Sequence, residues 1–187
     1  HAEFVTVPEN LVVKMNPSLH PKEASTVALG GISLHAVRRS QLSLGEKALV
    51  VGAGGIGLII LQLLKQSGVR VAISDVNEQR LNKARELGAD LILNPLKQDY
   101  KNELQQWSEG YGVDAVLFAA NTSHAEALSD SFQVTKRKGK VILVGVSGME
   151  IQREDIYAKE IDFIVSTSYG PGRYDSRYEE EALDYPF

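Results

Sequence analysis

Four glycines interrupt an apolar run at residues 48–64, and this run constrains the fold more than any other part of the sequence. Its length of 17 residues comes close to the lower limit for a membrane-spanning helix. The glycines, at positions 52, 54, 55 and 57, separate two shorter apolar pieces. That arrangement is typical of a buried strand, a tight turn and a buried helix, so it argues against a membrane span.

From Glu46 onward, β-prone apolar runs alternate with stretches of helical period. The predicted strands cover residues 48–52, 70–74, 91–93, 115–119, 140–145 and 163–168. The predicted helices cover 56–66, 78–87, 100–109 and 125–136, and Gly68, Gly88 and Gly139 are interpreted as stop signals of three of them. Such alternation requires right-handed crossovers, so the prediction is an α/β domain with a doubly wound, parallel six-stranded sheet, the Rossmann fold.

The sequence on either side of this alternation differs in character. Two β-prone runs at 3–7 and 10–14 indicate strands or an extended linker, and two short helices are expected between residues 22 and 40, with a break at Gly30 and Gly31. The last residues are rich in tyrosine and charge. The predicted organisation is an N-terminal extension with linking helices (1–44), a folded domain (45–170) and a polar tail (171–187).

The composition limits the classes of partner and cofactor. A net charge of −4 with dispersed lysine and arginine indicates no basic patch for a nucleic acid or an anionic membrane. The chain has no cysteine, so a disulfide or a thiolate zinc site cannot form in it, and its four histidines lack the spacing of a metal-binding pair. No secretion signal opens the sequence, which favours a cytoplasmic location.

The glycines fit the pattern GxGxxG between a strand and a helix, the pattern of a dinucleotide-binding loop. Gly52 allows the tight turn, Gly54 lets the backbone approach a pyrophosphate, and Gly57 lets helix and strand pack closely. The free N–H groups around Gly55 and Ile56 would face the phosphates with the positive end of the helix dipole. The loop would thus bind phosphate without a charged side chain.

Asp75 directly follows the second predicted strand, 18 residues after Gly57, where this fold places an acid that accepts hydrogen bonds from the adenosine ribose. Its carboxylate would repel a 2′-phosphate, which favours NAD over NADP. Arg80, five residues on, would contact the ribose or partly offset that repulsion.

Each of these signals has a purely structural alternative. A glycine-rich turn can serve packing alone, and an aspartate after a strand is often a helix N-cap, here ahead of Asn77 and Glu78. Together, in this order and spacing, they favour dinucleotide binding. No catalytic acid, base or nucleophile stands out: His35 and His124 are placed in helical stretches, and residues 136–138 are interpreted as the basic end of a helix.

Several blocks of sequence, in order, resemble the medium-chain dehydrogenase/reductase family of zinc-type alcohol, sorbitol and threonine dehydrogenases. They are VPENLVVKM, LSLGEKALVVGAGGIGLIILQLLK, SDVNEQRLNKARELGAD, GYGVDAVLFAA and GKVILVGV. The resemblance implies that zinc belongs to a catalytic domain absent from this chain, which residues 1–44 would join, and that this piece alone is inactive. It also implies cofactor contacts at Gly54–Ile56, Asp75 and Arg80, at Ala120 and Asn121 on the ribose side, and at the backbones of Val144, Thr167 and Tyr169 for the carboxamide.

The chain departs from that family in two places. Relatives often carry an acid and then a glycine after the fourth strand, where this chain has Phe118 and Asn121, so altered cofactor affinity is expected. The segment GPGRYDSRYEE resembles a subgroup in which a second oxidoreductase domain follows. The resemblance also implies a homodimer through the edge strand at 162–168, whose run DFIVSTS is poorly guarded by charge.

Three functions remain open at this point. The leading hypothesis is the cofactor-binding domain of an NAD(P)-dependent alcohol or polyol dehydrogenase, in which the cofactor carries the hydride chemistry on an alcohol or carbonyl substrate. A non-catalytic nucleotide-sensing domain would share the glycine loop but usually begins close to it. A zinc-free quinone or enoyl reductase of the same fold would use NADPH, against which Asp75 argues.

Overall fold

A parallel six-stranded sheet forms the centre of the protein in a computed structural model, which describes residues 2–97, 99–124 and 126–183. The strands are β1 (Lys47–Val51), β2 (Arg70–Ser74), β3 (Leu91–Leu93), β4 (Val113–Phe118), β5 (Thr135–Leu143) and β6 (Asp162–Val165). Their order is β3-β2-β1-β4-β5-β6, and every neighbouring pair is parallel. The strand order reverses between β1 and β4, as in a doubly wound sheet. The predicted fold class is therefore confirmed.

Helices cover both faces of the sheet, because parallel strands joined by crossovers have no solvent-facing side. They are α1 (Pro21–Ala24), α2 (Val27–Ser40), α3 (Gly55–Gln66), α4 (Glu78–Glu86), α5 (Tyr100–Trp107), α6 (Glu126–Val134), α7 (Arg153–Tyr157) and α8 (Ser176–Glu179). One buried cluster joins Ala36 of α2 and Ile60 of α3 to the sheet, and a second joins Leu104 of α5 and Phe132 of α6 to its other face.

The break expected at Gly30 and Gly31 is wrong, because α2 runs through both glycines and the chain instead bends between α1 and α2. Glycine weakens a helix interior by about 1 kcal/mol but does not end it. A Cβ on Gly31 would lie 3.7 Å from the Cβ of Tyr169, so this position brings the chain after β6 into contact with α2.

The helix predicted for 125–136 ends earlier, at Val134, and residues 136–138 belong to β5 rather than to a helix end. Lys159 caps α6 from outside, since its ammonium donates to the carbonyls of Gln133 and Thr135 at 2.6 and 2.9 Å. Gly139 is not a helix stop signal: a Cβ there would lie 2.8 Å from the carbonyl oxygen of Asp114 on β4. Close approach of two backbones thus explains this glycine.

The two ends of the described chain pack against each other. A 3₁₀ turn at Glu9–Leu11 is the regular structure found near the two β-prone runs of the N-terminal region, and it contacts α8. The amide of Asn10 donates to the carbonyl of Tyr178. Gly172 lies directly under the ring of Tyr178, where a Cβ would be 2.6 Å from a ring carbon.

Candidate functional site

The glycine loop follows β1 at the carboxyl edge of the sheet. Gly52 has a φ of +97°, a conformation that side chains disfavour, and a Cβ there would lie 2.9 Å from the backbone of Ala120. A Cβ on Gly57, in the first turn of α3, would lie 1.8 Å from the carbonyl oxygen of Gly52. These two glycines therefore let the loop turn and the helix pack on the strand.

The other two glycines face open space. Gly54 caps α3 and Gly55 is its first residue, and a Cβ on either would meet no atom within 4 Å. The first N–H groups of a helix have no partner inside the helix, so they point into this space with the positive end of the dipole. Neither glycine has a side chain, so the space next to these N–H groups stays open. This space suits a pyrophosphate.

Asp75 follows β2, and its side chain is only 7% exposed. One carboxylate oxygen accepts from the N–H of Ala53 in the glycine loop and the other from the N–H of Asn77, each at 2.8 Å. The N-cap of α4 is Asn77 itself, so the alternative of Asp75 as a helix cap is wrong. Arg80 lies 3.7 Å from the carboxylate, and 58% of its side chain is exposed. Asp75 thus holds a negative charge against the loop.

Ala120 and Asn121 lie next to the glycine loop. At this place the backbones that follow β1, β4 and β5 are in direct contact. A Cβ on Gly145 would lie 2.0 Å from the carbonyl oxygen of Ala120. That carbonyl accepts from the N–H of Val146 at 3.1 Å, and Asn121 forms an isolated parallel bridge with Val146. The sequence-predicted residues of this loop are therefore brought to the same edge as Gly54.

Val144 lies at the same edge, half-buried, and its N–H donates to the carbonyl of Phe118 at 2.9 Å. The Phe118 side chain is fully buried in the core. Phe118 and Asn121 are the two residues near the end of β4 that depart from the family pattern. Of these two, Asn121 is the one that is exposed beside the glycine loop.

Thr167 and Tyr169 follow β6. Thr167 is exposed at the strand end. The Tyr169 hydroxyl donates to a carboxylate oxygen of Glu179 at 2.8 Å, and its ring lies 6.4 Å from that of Tyr178. Because the tail engages the Tyr169 side chain, a contact to a ligand at the sheet edge would come from its backbone.

Sequence reasoning missed two serines at the ends of β5 and β6. The hydroxyl oxygens of Ser147 and Ser166 are buried and have no hydrogen-bond partner among the residues that the structure describes. A buried hydroxyl without a partner is costly, which marks both as candidates for contact with a bound group. Serine is too common a residue for the sequence alone to have singled them out.

A cavity of about 260 Å³ lies between α5 and α6, beside Val51 and Ser74 at the ends of β1 and β2. Tyr100 lines it and donates its hydroxyl to Asp130 at 2.8 Å; burial, and then this hydrogen bond, raise the pKa of Tyr100. His124 also lines the cavity and lies ahead of α6, not within a helix as expected. Ser74, which lines the cavity, directly precedes Asp75 in the chain.

Two further kinds of site are absent from the described residues. They contain no group of three or more histidine, cysteine or acidic side chains that would hold a metal ion. They also contain no helix that is long and apolar enough to cross a membrane.

A family model described as "Zinc-binding dehydrogenase" matches residues 55–184. The chain belongs to this family. The expected relationship to the medium-chain dehydrogenases is thereby confirmed, and this chain corresponds to their cofactor-binding domain. The zinc-binding dehydrogenase model begins at Gly55, the first residue of α3.

Similar proteins with assigned names are also dehydrogenases. The (R,R)-butanediol dehydrogenase of Bacillus subtilis is 35% identical over 163 residues, 85% of this chain and 46% of that protein. A crystal structure of the B. subtilis 2R,3R-butanediol dehydrogenase has a TM-score of 0.75 and 32% identity, over 84% of this chain and 45% of that chain. An NAD-dependent alcohol dehydrogenase of Sulfurisphaera tokodaii is 32% identical over 171 residues, 89% of this chain and 49% of that protein.

The solved structures leave the choice of cofactor open. A zinc-binding dehydrogenase of Sinorhizobium meliloti, solved with NADP, has a TM-score of 0.73 and 26% identity, over 81% of this chain and 46% of that chain. The family therefore includes proteins described with either nicotinamide dinucleotide. This zinc-binding dehydrogenase chain spans about half the length of the curated relatives it matches.

Proposed function

We propose that this chain is the NAD-binding half of a zinc-dependent dehydrogenase that oxidises an alcohol or polyol, or reduces the corresponding carbonyl. The observation that carries the proposal is the open cradle at Gly54 and Gly55, at the N-terminus of α3, with the Asp75 carboxylate hydrogen-bonded to the same loop. An uncharged cradle next to one fixed carboxylate suits a pyrophosphate followed by a ribose diol. The sensor and the zinc-free reductase are not favoured by the family membership.

The proposed contacts follow the carboxyl edge of the sheet. Backbone N–H groups of Gly54, Gly55 and Ile56 would bind the pyrophosphate. The carboxylate of Asp75 would accept from the adenosine ribose, and the cavity beside Ser74 offers space for the adjoining part of the nucleoside. The two Asp75 oxygens each accept one backbone hydrogen bond, so each keeps acceptor capacity for a ribose hydroxyl.

The nicotinamide would lie toward the ends of β5 and β6. Backbones of Val144, Thr167 and Tyr169 are the proposed partners of its carboxamide, and the buried hydroxyls of Ser147 and Ser166 lie in the same loops. The chain's own part would be to hold the ring in place and exclude water. When bound, the cofactor supplies the hydride chemistry.

We propose NAD over NADP because Asp75 is fixed. Its carboxylate is nearly buried and is held by Ala53 and Asn77, so it cannot swing away from a 2′-phosphate. Arg80 is exposed and lies close to that carboxylate, so the positive charge of Arg80 partly offsets the negative charge of Asp75.

Thermal unfolding of the chain with increasing NAD or NADP tests this proposal. A ligand at a hundred times its Kd stabilises a protein by about 2.7 kcal/mol, so binding appears as a shift in Tm. We expect a larger shift with NAD. The change Asp75→Asn keeps one acceptor oxygen and removes the charge, so the ratio of NAD to NADP affinity should fall by about tenfold.

Asp114→Asn is the matched control, because Asp114 also accepts from a backbone N–H, that of Lys47 at 2.8 Å, but lies at the amino end of β4, at the opposite edge of the sheet. It should lower the Tm without altering the ratio. No Tm shift with either dinucleotide would overturn the cofactor assignment, and an unchanged ratio in Asp75→Asn would overturn the role of Asp75.

We also propose that the chain forms a homodimer through residues 162–168. In support, β6 is at the end of the sheet order and Val165 is 55% exposed. An unpaired strand edge offers backbone groups to a second copy, which a two-fold axis would pair isologously. Val165→Lys should place a charge at that edge and shift the mass in light scattering from two chains to one. A single-chain mass for the unchanged protein would contradict the proposal.

The remaining expectations concern the whole protein. We propose that zinc is held by a catalytic domain outside this chain and that residues 1–44 and 171–187 flank the cofactor domain at 45–170. We likewise propose a cytoplasmic enzyme and a second oxidoreductase domain after the tail. Zinc analysis and mass determination of the full-length protein would test the zinc and the second domain, and cell fractionation would test the location.

A further inference from the structure

A groove of about 620 Å³ opens on the face of β6 that is covered by α2. The outer side of α2 forms one wall, the tail at Gly170 and Pro171 forms the upper rim, and Ile164 of β6 forms part of the floor. None of its lining residues belongs to the glycine loop, although the backbone of Thr167 is also a proposed partner of the carboxamide. Asp162, Ile164 and Val165 belong to the edge proposed for the homodimer, so a second copy would lie beside the groove. We call it the α2 groove.

Basic side chains from three separate segments converge on the α2 groove. They are His35, Arg38 and Arg39 of α2, Lys140 of β5 and Arg173 of the tail, and the acidic residue among the lining residues is Asp162. This concentration is unusual because the chain as a whole carries a net charge of −4. A concave wall lined by one sign of charge focuses the field and attracts the opposite charge.

Two cations of the groove carry charge that no ion pair within the described residues neutralises. Lys140 donates to a neutral partner, the amide oxygen of Gln41, at 2.5 Å. Within the described residues, neither Lys140 nor Arg39 forms an ion pair. By contrast, Arg173 is paired with Glu179 at 2.6 Å. At least two positive charges thus remain for a ligand.

His35 connects the cationic wall with the tail. A Cβ on Gly170 would lie 3.4 Å from its Nδ1, so the tail backbone passes directly over the imidazole. Burial, and then the charges of Arg39 and Arg38, lower the pKa of His35. A bound anion would offset the two arginine charges and so favour the imidazolium.

We propose that the α2 groove is a second binding site, for a phosphate-bearing small molecule with more than one negative charge. Phosphate oxygens match the guanidinium fork of Arg39 and the point charge of Lys140. The volume is within the range of small-molecule pockets, and the cations approach from α2, β5 and the tail, so one ligand would bridge all three. Binding would then lock the tail against α2.

The test is an NMR titration of the 187-residue chain with inorganic pyrophosphate at low ionic strength, in the presence of excess NAD. We expect saturable shifts at the His35 ring and the Gly170 amide. The titration midpoint of the His35 imidazole should also rise. The charged groups that line the groove with His35 are Arg38, Arg39, Lys140, Arg173 and Asp162. The double change Arg39→Gln/Lys140→Gln should weaken binding at these signals by about tenfold or more.

The matched control is Lys83→Gln/Arg85→Gln, which removes the same charge from the exposed face of α4 and should leave the affinity within about twofold. An equal loss in both double variants, or no saturable shift at His35 and Gly170, would overturn the proposal. Signals of Gly54 and Gly55 report the cofactor loop separately. If NAD leaves those signals unchanged while His35 responds to pyrophosphate, the proposed function fails and the second site stands.

Discussion

The carboxyl and amino edges of the sheet differ in the kind of contact that holds them together. At the carboxyl edge, backbone meets backbone: Gly52 and Gly145 both approach Ala120 so closely that a Cβ on either would lie within 2.9 Å of its backbone. At the amino edge, long side chains meet each other. Lys47 pairs with Glu109 at 2.6 Å, and Lys136 pairs with Asp114.

The charges at the amino edge are shared among several partners. Asp114 also accepts from the backbone N–H of Lys47 at 2.8 Å. The ring of Trp107 carries Arg70 at 5.1 Å and Lys47 at 5.9 Å from its centroid, distances at which cations are attracted to an aromatic face. This edge therefore satisfies its polar groups internally.

The difference separates stability from binding. The carboxyl edge leaves open space at Gly54 and Gly55 and two buried serine hydroxyls without a partner among the described residues. A buried hydroxyl without a partner is a candidate for contact with a bound group. Substitutions at the amino edge should thus change the free energy of unfolding alone, whereas those at the carboxyl edge should divide into packing and ligand effects.

The largest expected effect distinguishes two glycines of one loop. Gly57→Ala should destabilise the protein by about 3 kcal/mol or more, because its Cβ would lie 1.8 Å from the Gly52 carbonyl oxygen. Gly55→Ala, the matched control, places its Cβ in open space and should stay within about 1 kcal/mol of the unchanged protein. Urea unfolding measures both. Equal stability of the two variants would contradict the division of roles within the loop.

A smaller effect is expected at the amino edge. Asp114→Asn removes the ion pair with Lys136 and weakens the hydrogen bond from Lys47, and should cost about 1–3 kcal/mol. NAD affinity should not change. Glu86→Gln is the control, since the Glu86–Lys83 pair is exposed and is expected to contribute only a few tenths of a kcal/mol. An NAD affinity lowered by Asp114→Asn would refute the separation of the two edges.

The smallest effect is a pH dependence. The hydrogen bond from Lys47, and then its charge, lower the pKa of Glu109. A carboxyl group with a lowered pKa in the folded state adds stability above its unfolded pKa and loses it as the pH falls through the folded pKa. The difference in stability between the unchanged protein and Glu109→Gln should therefore shrink from pH 6 to pH 3, and also in high salt. A constant difference would show that the pair contributes nothing.

The parts of the molecule that sequence could predict are those set by local pattern. The alternation of apolar runs and helical stretches predicted all six strands, and GxGxxG placed the loop between β1 and α3. The position of Asp75 followed from the same spacing.

The errors have tertiary causes. Gly139 was misinterpreted because its reason is the close backbone of Asp114, 25 residues earlier in the chain, and α6 ends at Val134 where β5 begins to pair with β4. The buried hydroxyls of Ser147 and Ser166 depend on which loops end up adjacent. Neither local propensity nor period contains that information.

The contact between the 3₁₀ turn at Glu9–Leu11 and α8 has a practical consequence. Since the amide of Asn10 donates to the carbonyl of Tyr178, the segment ahead of α1 and the tail after β6 lie side by side. A segment bounded by adjacent crossover points behaves as a cassette. We therefore expect residues 9–178 to be exchangeable as one unit, with both junctions at one corner of the fold and the six strands left intact.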